Sequence, residues 1–494
     1  MSTLFAPRAI EKEFLPQEFR ITVWSRLKPY YNELLNRRIK EIRSFDRWWT
    51  DFKEMRAAIR EEYNIRLLRA WQQPTDERIF EAFSYLALEV MPRAQQFEHL
   101  ILSRSLEFAP AIRKSIGGSL SLIQEQVARF GKKNALLEQE IIVQIQGFLC
   151  RNSAKKISED KAQDFLRQLC ERRQHLARQT GYTDYASYHS ARLSSPIPVS
   201  KAQLYRWTER ILSAGEALRS NDAPMPNLSL RSRGVTEQLL AKVPKCLNSI
   251  DPALGRHFQL IQEARRLHVK ARGSKSSLAR LSPMPLSGIP HLTLHATQPA
   301  KALPQLFHLI GWGLYAAFHP EQSMLEGPSA AAEFSGQSLR LISSEHWDNF
   351  FIDKEQWQTA QKIQLRQILD QLQLAMVRDR FEQSLYTNPA QDLKALWTTT
   401  YGEWNAPHHL PELLKIGECP FSGIRQLYAG LSALYCWQQY QEAPKMAFSH
   451  FLQGLSAPSV PASNTSKSLI FSKWAPNDNT IKKVATFVTD FEAA

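Results

Sequence analysis

Two residues that can bind a metal ion flank a short apolar segment near the middle of this 494-residue chain. His308 lies in the run 306–311, and Glu333 follows further along. A helix carrying His-Glu-x-x-His holds two imidazoles on one face, where they share a zinc ion with a third ligand from a later helix. The Glu of that motif accepts a proton from the metal-bound water. Here the frame reads His308-Leu-Ile-Gly-Trp312, so Leu309 occupies the position of the base and Trp312 that of the second imidazole.

Neither replacement can supply the missing chemistry. Leu309 has no atom that accepts a proton, and Trp312 has no lone pair that a metal ion could use. One imidazole and one carboxylate would leave most of the coordination sphere to water, whereas zinc sites in proteins use three or four protein ligands. The sequence therefore predicts that no metal is bound at this position.

Each of these residues also has a plainer interpretation. For His308, a helix histidine hydrogen-bonded in a cavity is favoured over an orphan metal ligand. For Glu333, a salt bridge with a nearby arginine is favoured. Trp312 could fill the space of a metal ion and its water with roughly 150–250 Å² of aromatic surface. Other histidines offer no better spacing, since the adjacent pair would point apart on a helix; they are His319, His346, His408 and His409.

Composition excludes several classes of protein. Hydrophobic residues make up 43% and charged residues 22%, as in a soluble globular protein with a large core. The longest apolar run, Leu306–Phe318, is too short to span a bilayer, and the N-terminus lacks the apolar core of a signal peptide. Five widely spaced cysteines without a CxxC pair predict neither disulfides nor a zinc ribbon. We expect a cytoplasmic protein without a membrane partner.

The net charge of +14 at pH 7 is the one unusual total, and it permits an acidic partner. A solvated basic surface is the favoured interpretation, because arginines are spread through the chain. The basic character is densest from Ala264 to Pro320, which contains no Asp or Glu. A basic nucleic-acid-binding adaptor is therefore a weaker alternative, whose binding would depend on salt. No recognised nucleic-acid motif accompanies the charge, so nucleic acid is not the expected partner.

Apolar residues recur at helical spacing through most of the chain. Long amphipathic helices are predicted within 10–130, and further helices over Ala135–Arg151, Glu355–Gln383, Ile424–Gln441 and Ile481–Phe491. His291–His295 is one of few strand-like runs. Over 220–290, periodicity weakens while Pro, Ser and Gly rise, which predicts a basic, loop-rich crossover. The predicted fold is all-α with minor β, divided into an N-terminal helical lobe (1–195) and a second domain (196–494).

Several motifs, in order along the chain, resemble those of one peptidase family. The stretch 173–185 is similar to R-x-x-x-A-x-x-x-G-[FY]-x-N-Y, and 271–275 to A-R-x-G-K. The run 306–311 falls on L-x-H-E-x-G-H, and 332–335 on [AV]-E-x-[AP]-S. Two later segments, 379–389 and 420–437, resemble D-x-F-[QE]-x-x-[ILV]-Y-x-x-P and P-F-Y-x-I-[DE]-Y with its following helix. The chain thus resembles the oligoendopeptidase F / thimet-oligopeptidase family of zinc peptidases, as a degenerate member that lacks His-Glu-x-x-His.

The resemblance implies a large two-lobed helical shell around a central cleft, with 196–494 as a degenerate metallopeptidase-like domain. His308 and Glu333 match the first and third zinc ligands. Ser422 and Gln426 stand where the family has tyrosines that bind substrate and stabilise the oxyanion. His408 or His409 matches a nearby family histidine loosely.

These losses predict a pseudoenzyme: a shell without zinc or another cofactor that binds a peptide or a protein partner, such as an active peptidase of the same family. No residue is expected to be catalytic, since Leu309, Ser422 and Gln426 are degenerate positions. The candidates for the peptide cleft are His308, Trp312, Glu333, His408 and His409. A residual metal-dependent oligopeptidase with rearranged ligands stays open, and it requires a third donor about 2.0–2.2 Å from a shared metal position.

Overall fold

The computed structural model describes residues 9–10, 12–114, 116, 120–129, 131–152, 158–192, 197–220, 224–230, 234–272, 278–319, 329–388, 391–402, 416–456 and 473–493. Helices dominate these residues, and one three-stranded sheet accompanies them. The predicted class, all-α with minor β, is confirmed. None of the described helices is both long and apolar enough to cross a membrane. All five cysteines are free.

The N-terminal helices pack around an aromatic core. Phe45, Trp48 and Phe52 are fully buried because their spacing places them on one face of a helix. Trp48 also donates its indole N–H to the carbonyl oxygen of Leu34 at 2.8 Å, so these aromatic rings serve packing. The helices of this region are α1 (Trp24–Asn36), α2 (Ile42–Gln72), α3 (Glu77–Tyr85), α4 (Met91–Glu107), α5 (Leu120–Arg129) and α6 (Lys132–Asn152).

The middle of the chain is more helical than its composition suggests. Residues 235–263 form two helices, so the prediction of a loop-rich crossover over 220–290 is wrong there. Leu239, Val243 and Leu247 recur at helical spacing and are fully buried, while Pro244 inside one helix and Pro252 at the start of the next obscure the pattern. The helices are α7 (Glu159–Gln179), α8 (Tyr185–Arg192), α9 (Lys201–Ala214), α10 (Glu216–Ser220), α11 (Val235–Ile250) and α12 (Pro252–Glu263).

The sheet follows α12 and consists of β1 (Leu267–Lys270), β2 (Leu278–Ser282) and β3 (His291–His295). The strand order is β1-β3-β2, with β3 parallel to β1 and antiparallel to β2. The strand predicted at 291–295 is confirmed residue for residue. Its leucines, Leu292 and Leu294, are fully buried in the main core.

The remaining helices complete the main core, which contains the apolar faces of the two helices that follow the sheet. They are α13 (Pro299–Phe318), α14 (Ala330–Ser344), α15 (Lys354–Thr387), α16 (Leu393–Gly402), α17 (Ser422–Glu442), α18 (Pro444–Ser456) and α19 (Asp478–Ala493). A separate core combines residues from 137–188 with residues from 374–421. This core contains residues from both sides of position 195. It therefore gives no support to a domain boundary at that position, and the boundary stays a prediction.

Candidate functional site

The site is built where α13 crosses α14 at backbone contact. A Cβ atom added to Gly311 would lie 2.5 Å from the Ser335 carbonyl oxygen and 2.8 Å from the Gly336 Cα. Only glycine allows so close an approach. The Ser335 hydroxyl donates to the Gly311 carbonyl at 2.6 Å and ties the helices together at this point. The crossing brings side chains from one turn of α13 and one turn of α14 close together.

His308 of α13 and Glu333 of α14 meet at this crossing. The His308 Nε2 atom lies 3.7 Å from Oε2 of Glu333, and Glu333 is 5% exposed. Gln337, one turn further along α14, donates to the other carboxylate oxygen at 2.9 Å. Burial pushes the pKa of Glu333 upward, but His308, Gln337 and Trp312 together outweigh it, so the pKa lies below its usual value. The carboxylate is therefore held in its charged form.

Trp312 closes the same space from the next turn of α13. Its ring centroid lies 4.6 Å from that of His308, in an edge-to-face arrangement. The indole also covers Gly336, where an added Cβ would lie 2.7 Å from Trp312 Cδ1 and 2.8 Å from Nε1. The indole N–H faces Glu333 and helps to lower its pKa, although it reaches full hydrogen-bonding geometry with no described acceptor.

Leu309 points away from this cluster. Its side chain is fully buried in the main core. An aliphatic side chain there can neither accept a proton nor orient a water molecule. The position that would carry a general base is thus part of the apolar packing.

One of the plainer interpretations holds in part, and one needs correction. The His308 Nε2 atom faces the Glu333 carboxylate, whereas Nδ1 is buried without a hydrogen-bond partner among the described residues, so only one of the two ring nitrogens is paired. Glu333 pairs with His308 rather than with an arginine. Arg340 lies two turns along α14, but its guanidinium binds side-chain oxygens of α15, which are supplied by Gln364, Gln367 and Gln371.

The neutral surroundings of Arg340 change its pKa. Burial lowers the pKa of Arg340 to about 10, and the charge of Glu333 opposes that change. The α14 side chains face a row of α15 glutamines because residues seven apart share one side of a helix. An arginine therefore contributes to the electrostatics of the site without neutralising its carboxylate directly.

The residues present do not fit the zinc ion that the family resemblance implies. His308 and Glu333 supply two donors, and an indole stands where a second imidazole would be. No group of three His, Cys, Asp or Glu side chains that could hold a metal is found in the ranges that the structure describes. His319 and His346 are engaged elsewhere, with the Leu455 carbonyl at 2.8 Å and the Tyr440 hydroxyl at 2.9 Å. His408 and His409 lie outside the described residues.

The two degenerate positions of α17 lie in its first turns. Ser422 is buried, and its hydroxyl has no partner among the described residues. The Gln426 side-chain oxygen accepts a hydrogen bond from Arg378 at 2.9 Å. These positions therefore present a serine hydroxyl and an amide, and the amide is already occupied by an arginine.

The motifs noted on both sides of the site meet in a buried cluster that the sequence did not reveal. Arg173 of α7 is 3% exposed. It donates to the Tyr386 hydroxyl at 2.8 Å and to the Gly417 carbonyl at 2.6 Å, while the Tyr185 ring lies 5.3 Å from that of Tyr386. The shared motif residues therefore hold the scaffold together, and their spacing in the sequence is the signal that points to them.

Comparison with solved structures identifies the fold. The chain is similar to Pz peptidase A bound to an inhibitor, with a TM-score of 0.78, 15% identity, and coverage of 98% of this chain and 99% of that one. A candidate oligoendopeptidase F gives the same TM-score and identity over 97% and 98% of the two chains. A candidate oligoendopeptidase F from Bacillus anthracis strain Ames gives 0.73 and 13% over 99% of each. Neither a protein-family profile nor a curated sequence matches.

Proposed function

We propose that this chain, which has the fold of oligoendopeptidase F and related peptidases, is a non-hydrolytic member of that group. It binds a peptide or a protein partner instead of cleaving it. The single observation that carries this proposal is the pair of replacements on α13. Leu309 lies in the core where a general base would be, and Trp312 packs on His308 where a second metal ligand would be.

Chemical reasoning supports the loss of hydrolysis. Zinc peptidases lower the pKa of a bound water and remove its proton with a nearby carboxylate. This chain offers neither a third donor among its described residues nor a base at position 309. The α17 positions that would stabilise an oxyanion carry Ser422 and Gln426, and oxyanion stabilisation is usually the largest single contribution to such catalysis. Both halves of the mechanism are therefore missing.

The partner we propose is a peptide or a protein, for example an active peptidase with the same fold. The net charge of +14 favours an acidic partner over a basic one. We place the protein in the cytoplasm, as the five free cysteines suggest. Nucleic acid is the weaker alternative; it would be supported by binding to a mixed-sequence duplex that weakens steeply as salt rises.

A metal analysis beside a cleavage assay tests the proposal. Purified full-length protein is expected to contain no stoichiometric zinc and to leave a quenched fluorescent peptide library intact, with or without added zinc. A His308→Ala variant serves as the matched control, because it removes the one remaining imidazole donor. One zinc per chain together with cleavage that His308→Ala abolishes would instead establish the residual peptidase with rearranged ligands.

Binding is tested separately from hydrolysis. Fluorescence anisotropy with the same peptides, unquenched, should detect saturable binding that leaves the peptide intact on mass analysis. Crosslinking in cells that produce the chain distinguishes a protein partner from free peptides. Absence of any saturable binding partner in both experiments would contradict the proposal even if hydrolysis is absent.

A further inference from the structure

One face of the sheet carries chemistry that the site on α13 and α14 does not use. Successive strand residues point to opposite faces. Leu292 of β3 faces α13, where a Cβ added to Gly313 would lie 3.3 Å from its side chain. His291, Thr293 and His295 therefore point to the opposite face of the sheet, away from α13.

The strand register places further basic groups on that face. His268 of β1 is paired with Thr293, and Lys270 with His295. Arg280 of β2 is also paired with Thr293, from the other side. The rings of His268 and His295 lie 5.2 Å apart between centroids. We call this set, His268, Lys270, His291, Thr293 and His295, the histidine face; His268 and Lys270 are exposed, so solvent reaches it at β1.

Several polar atoms of the histidine face lack partners. Thr293 is 2% exposed, and its hydroxyl has no hydrogen-bond partner among the described residues. The Nε2 atoms of His291 and His295 are likewise buried and unpartnered there. Buried polar groups in proteins are almost always hydrogen-bonded to protein, water or a ligand. Three such atoms on one strand face, at every second residue, need partners from water or from a polar ligand.

The acids that face the sheet are already occupied. Glu61 of α2 pairs with Arg266 at 3.3 Å and accepts from the backbone N–H groups of Leu286 and Ser287. Glu418 pairs with Arg280, whose guanidinium lies 3.6 Å from the centroid of the Trp71 ring on α2. Neither acid forms a described ion pair with the histidine face, where Lys270 supplies a positive charge and the imidazoles supply ring nitrogens.

We propose that the histidine face binds an oxyanion, either the carboxylate of an acidic peptide residue or a free inorganic oxyanion. His268, His291 and His295 would donate from their ring nitrogens, and the Thr293 hydroxyl would donate from the centre of the face. Charge-assisted bonds from imidazolium and ammonium groups to oxyanions are about twice as strong as neutral ones. The site lies on the face of the sheet opposite α13; binding of a peptide carboxylate there rests on the proposed function, whereas binding of an inorganic oxyanion does not.

The binding takes up protons. Burial lowers the pKa of His268, of His295 and, to about 4, of His291, and neighbouring positive groups add to the effect: Lys270 for His268, Arg266 and His268 for His291, and His268 and Lys270 for His295. The imidazoles of this face are therefore largely uncharged near pH 7 when no anion is bound. A bound anion favours the imidazolium forms, so the affinity rises as the pH falls.

Isothermal titration of the full-length protein tests this site. The probes are inorganic sulfate, whose charge is constant over the range, and a capped peptide rich in Glu, with its Gln counterpart as the control ligand. We expect at least tenfold tighter binding at pH 5.5 than at pH 7.5, with proton uptake seen by comparing buffers of different ionisation enthalpy. Binding of the peptide alone or of sulfate alone identifies which source the face accepts.

Variants separate this role from folding. A His291→Gln/His295→Gln double variant should lose at least tenfold in affinity at pH 5.5, and the isosteric Thr293→Val about threefold. His175→Gln, on an exposed position of α7, should bind like the parent. If neither probe binds at pH 5.5, or if Thr293→Val and the double variant bind as tightly as the parent, the proposal is wrong.

Discussion

The packing of Trp312 over Gly336 can be tested by adding one methyl group. In Gly336→Ala the new Cβ would lie 2.7 Å from Cδ1 and 2.8 Å from Nε1 of Trp312, and 2.9 Å from Cε1 of His308. Carbon atoms in favourable contact are about 3.5–4.0 Å apart. The indole must therefore move, although α13 and α14 are in backbone contact beside it.

The size of the effect follows from two opposing contributions. Overpacking a tight interior costs about 1–3 kcal/mol, while replacing Gly by Ala inside a helix returns about 1 kcal/mol. Three close contacts with two ring systems place the cost at the upper end, so we expect Gly336→Ala to lower the free energy of unfolding by about 2 kcal/mol. With Trp312→Ala already present the clash is largely gone, and Gly336→Ala should become neutral or slightly stabilising.

Urea unfolding is followed by far-UV circular dichroism for the parent, Gly336→Ala, Trp312→Ala and the double variant. The four free energies of unfolding give the coupling energy between positions 312 and 336. We expect about 2–3 kcal/mol, at the top of the range for residues in contact. Gly402→Ala is the matched control, because a Cβ there would meet nothing within 4 Å. A Gly336→Ala protein as stable as the parent, or one with the same loss in both backgrounds, would refute the placement of Trp312.

Further predictions concern the metal and the buried acid–base groups. Trp312→His should bind zinc in a metal analysis, because it adds a third donor beside His308 and Glu333. The 3.7 Å between those two residues is close to the ~3.4 Å between two ligands of a tetrahedral zinc with 2.0–2.1 Å bonds; zinc content equal to that of the parent would contradict this. Burial lowers the pKa of His257 to about 4, so its protonation opposes folding as the pH falls below 6.5. The loss reaches about 3 kcal/mol near pH 4, and unfolding of His257→Gln should depend less on acid pH; equal slopes would argue against it. Burial raises the pKa of Glu382 from 4.5 to about 8. The buried protonated form therefore stabilises the fold fully at low pH, and this stability is lost as the pH rises from about 4.5 to 8. Glu382→Gln should therefore unfold at a higher temperature than the parent at pH 9, and a lower one would count against that assignment.

The helices were the predictable part of this structure because their apolar residues recur at helical spacing. Leu365, Leu369 and Leu372 of α15 are 0–2% exposed on one face. The helix predicted at 424–441 extends from Ser422 to Glu442. The fold resemblance was also predictable, since several short motifs kept their order along the chain even though identity to the solved structures is only 13–15%.

The partners of individual side chains were not predictable in the same way. The sequence places Arg340 two turns from Glu333, but it does not show that α15 presents glutamines to that arginine. The close contact between Gly311 and Gly336 depends on how α13 and α14 cross, and a single glycine in a sequence does not predict such a contact. The alternation in His291–His295 was visible, yet the register with β1 that adds His268 to the same face required the three-dimensional structure.

The Arg173 contacts join parts of the chain that are synthesised at different times. The arginine receives its Gly417 partner from a position 244 residues later in the sequence. At a synthesis rate of about 5–20 residues per second, that partner leaves the ribosome about 12–50 s after the arginine does. During this interval the apolar residues of α6 and α7 have no complete core to enter. We therefore expect this stretch to be a recognition site for chaperones during synthesis, and shortening the chain before residue 417 to leave the N-terminal half prone to aggregation.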